Sequence, residues 1–206
     1  MADDKKRQAK RVAADNGVKN PAGVAYVGAT ALYLALVPAT SFLTKPGSIV
    51  QSLTHALIKL LPGVGTTAIT SGRAIPALSA FYLFWTFGAS GAASAAGQAM
   101  GREEGFDMEH PRKHVNSLDG LPLRLRSAHV QLMENFSGFA LSAALAQVIA
   151  PTDAQIVNLL GYHVIVKTLV HYPVYVANLP PPTRTLAHIS ATAALINVCW
   201  RLAAGN

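Results

Sequence analysis

Apolar residues in this chain gather in blocks long enough to cross a bilayer, which takes roughly 20 residues of helix. Five blocks qualify, at about 22–44, 74–100, 123–150, 155–178 and 185–204, and the first two carry no charge. The breaks fall at Lys45-Pro46-Gly47, at Pro151-Thr152-Asp153 and at the triple proline 180–182. Proline ends helices there because it lacks an amide donor and restricts its predecessor. Between the first two blocks, Ile49, Val50, Leu53, Leu57 and Leu60 recur at helical spacing, with Gln51, Ser52, His55 and Lys59 mostly opposite. That pattern predicts a short helix over about 48–61, lying in the membrane interface or buried as a loop helix. Segment 88–97 consists entirely of Gly, Ala and Ser. Small residues let membrane helices approach closely, so this stretch is expected to pack on a neighbour.

Composition agrees with the pattern. Of 206 residues 51% are hydrophobic and 13% charged, with mean hydropathy +0.31; ordinary soluble domains carry about 25% charge. The net charge of +7 does not point to nucleic acid, because six of the 17 Lys/Arg (Lys5, Lys6, Arg7, Lys10, Arg11, Lys19) precede the first block. Such a cluster reads as a topology signal and a patch for anionic lipid. Three more lie in 45–73 (Lys45, Lys59, Arg73) and five in 101–126 (Arg102, Arg112, Lys113, Arg124, Arg126). The excess places the N-terminus and the 101–126 loop in the cytoplasm, and the C-terminus opposite. A cleavable leader is not expected, since the first twenty residues are polar and Asp3, Asp4 and Asp15 interrupt the basic ones. One cysteine, Cys199, excludes an internal disulfide and a cysteine-rich metal site.

Candidate chemistry centres on Glu134, an acid at membrane depth that is expected to face protein or a wet cavity and to have a partner. Arg124, Ser127, Gln131, Glu134 and Gly138 step by three and four and share one face, while Arg126, His129 and Met133 fall on another. A helix with polar groups in two directions should lie between two partners. The fourth block carries His163, Lys167, His171 and Tyr175 at intervals of four, and Lys167 is the expected partner of Glu134. The pair would either fix helix register or belong to a polar cleft for a charged ligand, since guanidinium groups grip carboxylates in a fork. Asp107, Glu109, His110 and His114 read as a solvated loop rather than a metal cluster. No P-loop, dinucleotide fingerprint or metalloprotease motif occurs.

His110-Pro-Arg112, the run Arg126-Ser-Ala-His-Val-Gln-Leu-Met-Glu-Asn-Phe-Ser-Gly-Phe139, His171-Tyr-Pro-Val-Tyr175 and Arg184-Thr-Leu186 resemble the signature of the MAPEG family (membrane-associated proteins in eicosanoid and glutathione metabolism). The resemblance covers about 74–204. It implies an all-α four-helix membrane domain over 74–206, preceded by a 1–73 extension with a basic tail, one additional transmembrane helix and the 48–61 helix. It further implies trimers holding glutathione near the cytoplasmic face, with Arg126 and Glu134 contacting it, Tyr175 lining its site and Arg184 stabilising the thiolate; the polar stripes add Gln131, Lys167 and His171 as binding candidates. Gln131, Ser137 and Thr168 depart from the family's asparagine, proline and arginine. The functional expectation is a glutathione-dependent transferase or peroxidase acting on lipophilic substrates from the bilayer. The alternative is a non-catalytic subunit of a larger membrane complex. A haem or quinone protein using His129, His163 and His171 is the third reading. An endoplasmic-reticulum or other endomembrane location is expected, with a mitochondrial membrane as the alternative.

Overall fold

The computed structural model describes residues 2–65 and 67–205, and no strand occurs among them. A polar helix α1 (Ala2–Asp15) precedes a 3-10 turn, Pro21–Ala29, whose first free amide is satisfied by the Asn20 side chain. The turn runs into α2 (Thr30–Ala35) and α3 (Val37–Leu43). Together Ala22–Leu43 has the length and apolarity of a membrane span, with mean hydropathy 1.6. After the Pro46 break come α4 (Ile49–Lys59), capped by Ser48, and the single turn α5 (Thr67–Thr70).

Two long uninterrupted helices form the frame. They are α8 (Gly120–Ile149) and α11 (Pro181–Ala204), and each is apolar enough to cross a membrane. Two further rods are interrupted by π turns. The first joins α6 (Ala74–Leu83) through Phe84–Ala89 to α7 (Ser90–Met100). The second joins α9 (Ala154–Ile165) through Val166–His171 to α10 (Tyr172–Val176). A π turn holds more residues than an α turn, so the facing of side chains changes across it. Caps mark the ends: Asp153 accepts from the Ile156 amide at 2.8 Å, and Gly205 adopts φ 73°, the left-handed closure that suits glycine.

The core lies where α6, α8, α9 and α11 meet. Tyr82 packs edge-on against Phe139 at 4.9 Å between ring centroids, and Leu78, Leu132, Leu159, Leu160 and Val164 fill around them with no exposure. Small residues set the helix separations. Gly97 of α7 sits against Leu125 and the Pro122 carbonyl of α8, where an added Cβ would have only 3.1–3.2 Å. The 88–97 segment therefore packs on a helix, as its composition predicts. Gly161 of α9 lies directly beneath Thr54 of α4, so any larger residue there would collide with it. The amphipathic helix α4 thus rests one face, Val50, Thr54, Leu57 and Ile58, on the bundle, leaving Ile49, Leu53 and Leu60 exposed.

The N-terminal extension is fastened by amides. Asn197 on α11 donates to the Val37 carbonyl, to Thr40 Oγ1 at 2.9 Å and to Ser41 Oγ at 2.8 Å. Gln155 and Asn158 on α9 donate to the carbonyls of Ser41 and Thr44. Each contact satisfies a polar group where water is scarce. The helix through α2 and α3 is thereby laid along α11 as a fifth member of the bundle.

Candidate functional site

The sequence brings basic and aromatic groups together at the α8, α10 and α11 junction. A cavity of about 350 Å³ is lined there by Gln131 of α8, His171 and Tyr175 of the second rod, Pro181, Arg184, Thr185, His188 and Ile189 of α11, and Ala29 and Tyr33 of the extension. Gln131, His171, Tyr175 and Arg184 are four of the expected site residues. The Arg184 guanidinium stands over the Tyr175 ring at 4.8 Å, a cation–π arrangement that fixes both side chains. His171 lies 5.9 Å from the Tyr175 ring and 5.9 Å from the His188 ring. It is buried, and its Nδ1 has no hydrogen-bond partner among the described residues.

Lys167 is near this cavity but does not pair with Glu134, as opposite charge on neighbouring helices leads one to expect. Its Nζ lies 2.9 Å from His188 Nδ1, and its side chain has no exposure. Among the described residues no ion pair joins Glu134 and Lys167. The reason is local. Lys167, Thr168 and His171 sit in the Val166–His171 π turn, which packs chiefly on α11 rather than on α8. The widened turn breaks the phase that a uniform helix would keep. Thr168 is fully buried, and its hydroxyl donates to the Val164 carbonyl at 2.8 Å.

Glu134 corrects a second expectation. It is exposed on the outside of the single chain, not buried between the third and fourth spans. Arg126, also expected in the site, does not line the cavity. It lies on the other side of α8 near His129, whose Nδ1 meets Ser90 Oγ of α7 at 2.9 Å. Arg124 points toward the second rod and donates to the Val176 carbonyl at 2.9 Å. The helix thus has polar partners in two directions, as its sequence indicates.

His188 is the residue that sequence reasoning missed. It stands between Ala187 and Ile189 with nothing to mark it locally, although it lies four residues after Arg184 and so shares its face. Tyr33, in an uncharged span, carries no such signal; its ring meets His188 edge-on at 6.4 Å. The other membrane histidines, His129 and His163, do not line the cavity. His163 Nδ1 meets the Ala191 carbonyl at 2.9 Å, and its ring stacks on Phe139. In the 101–119 loop, Asp107 accepts from the His110 amide at 2.7 Å and meets His114 Nε2 at 3.1 Å. Those bonds hold its carboxyl below the usual aspartate range, the His110 amide contributing most. Among the described residues no cluster of His, Cys, Asp and Glu is arranged for a metal.

A four-helix core with a fifth helix bound to it, and a basic, aromatic cavity between the helices, defines a polytopic integral membrane protein with an internal polar site. The MAPEG family model matches residues 75–204, and the chain belongs to that family. No curated protein and no solved structure gives a significant match.

Proposed function

We propose that this protein is a membrane-bound glutathione-dependent transferase or peroxidase whose second substrate is lipophilic and arrives through the bilayer. The observation that carries the reading is the cavity in which Arg184, Tyr175, His171 and Gln131 converge. Glutathione offers carboxylates, which guanidinium and imidazole groups bind well. Its thiol reacts as the thiolate, and a cation beside the sulfur favours that form. Arg184 is the group assigned to this role, with Gln131, His171 and Tyr175 orienting the peptide and Lys167 acting through His188. Glu134 would join the site from the exposed face of α8, where a neighbouring copy in a trimer would bring it against a second chain, and Arg126 from a different face of the same helix.

A second reading is a non-catalytic family member built into a larger assembly. The bound extension and the outward-facing Glu134 favour it, because both suit a chain with protein neighbours. Calorimetry on the purified full-length protein separates the two. Glutathione binding at millimolar concentration or tighter, with conjugation of an apolar electrophile in reconstituted membranes, is the expected result. Absence of binding at that concentration overturns the enzyme reading and leaves the subunit.

A further inference from the structure

The 1–73 extension lies outside the family match, yet it reaches the cavity. Tyr33 of α2 lines it beside His188, and the next helix, α3 with its C-terminal Thr44, is fixed to α9 and α11 by Gln155, Asn158 and Asn197. His188 is therefore held from two sides. On one, Lys167 Nζ lies 2.9 Å from Nδ1. When Lys167 carries its charge, Nζ can only donate, so Nδ1 accepts and the ring's own proton sits on Nε2. On the other, the Tyr33 ring packs edge-on against the imidazole. The result is a half-buried ring of fixed tautomer and restrained orientation, lining a cavity with Arg184 and the unpartnered His171. A fully buried lysine at membrane depth needs compensation. None of the residues lining this cavity is acidic, and the one acid that bears on Lys167, Glu134, forms no ion pair with it among the described residues.

We propose that His188, set by Lys167 and by Tyr33 of the N-terminal extension, is a ligand-contacting residue that donates its Nε2 proton to an anionic group, of carboxylate type, bound in this cavity. Lys167 and Tyr33 are positioning residues that act through it. An anion there supplies the negative charge that Lys167 and Arg184 lack. The inference rests on the glutathione reading for the natural ligand, but the donor geometry does not depend on which carboxylate is bound. It makes the extension a part of the binding site rather than an anchor alone.

The test uses full-length protein in lipid nanodiscs with 15N-labelled histidine, titrated separately with glutathione and with glutarate, a small dicarboxylate that lacks a thiol. In the apo protein His188 should give the signature of an Nε2-protonated ring, and Lys167→Met should abolish that fixed tautomer. Either ligand should shift the His188 signal. His188→Phe should weaken binding by roughly tenfold or more, the scale of a hydrogen bond to a charged group. Tyr33→Ala should weaken it less, while Tyr33→Phe, which keeps the packing ring, should restore it. If His188→Phe fails to fold, the wild-type shift and the Tyr33 pair decide the matter. Binding of glutarate but not glutathione overturns the glutathione reading and supports His188. Binding of either ligand with His188 unshifted, or with His188→Phe within about twofold of wild type, overturns the proposal and spares the glutathione reading. Binding of neither overturns both.

Discussion

Arg184 is held against the Tyr175 ring in the free protein, so little reorganisation would be needed for it to face the sulfur of the proposed glutathione. A contact that strengthens as the thiolate forms lowers the barrier more than it improves ground-state binding. Arg184→Ala is accordingly expected to reduce kcat more than it raises the glutathione Kd, and single-turnover kinetics beside calorimetry would separate the two. Equal losses in both would place Arg184 in binding alone. Single residues were also where the sequence was most and least legible. Gln131, His171, Tyr175 and Arg184 could be found because periodicity puts them on polar stripes or because they fall in family-like motifs. His188 and Tyr33 could not, since each is a lone ring in an apolar helix and its meaning comes from a partner far along the chain. The Lys167–Glu134 pair is expected from opposite charge alone, and charge does not show that Lys167 sits in the widened Val166–His171 turn, which packs on α11. Thr168 shows the same limit, because restoring an arginine there would require space that its burial denies.

Two elements carry their own predictions. The 101–119 loop is organised on Asp107, whose carboxyl is held below its ordinary range by the His110 amide, His114 and Arg102. A carboxyl with a depressed native pKa stabilises the fold fully above its unfolded value of about 3.9. That stabilisation is lost as pH falls from there through the lower native value. The loop should stay protected from hydrogen exchange between neutral pH and about pH 4 and open below it. Asp107→Asn should open it at neutral pH and flatten the profile. The second element is the extension, which packs on α11 and is hydrogen-bonded to it through Asn197. Asn197→Ala is expected to weaken that seam by about 0.6–1.7 kcal/mol, the range for hydrogen bonds between membrane helices. Cross-linking between cysteines placed on α3 and α11 would report the loosening, and an unchanged yield would show that apolar packing alone holds the helix. The extension was legible as a span from its composition. Its attachment was not, because Gln155, Asn158 and Asn197 look like isolated polar residues until their partners are known.

At the scale of the molecule, the outward-facing Glu134 is the feature that a single chain leaves unresolved. A carboxylate exposed to hydrocarbon is costly, and protein contact on that face removes the cost. Native mass spectrometry from nanodiscs is expected to give a homotrimer. In that assembly Glu134→Gln and Arg126→Ala should each weaken glutathione binding by roughly 1.5–3 kcal/mol. A monomer with unaltered binding in both variants would remove Glu134 from the site. The amide fastening of the extension has a different consequence. The chain turns at the exposed Lys45-Pro46-Gly47 corner, where Gly47 has φ 81°, and the segments on either side meet through side chains rather than through the corner itself. Covalent continuity there is dispensable to assembly. Residues 1–46 and 47–206 made as separate polypeptides should find each other in the bilayer and copurify, so this protein can be divided at one turn and reassembled in the manner of a split reporter.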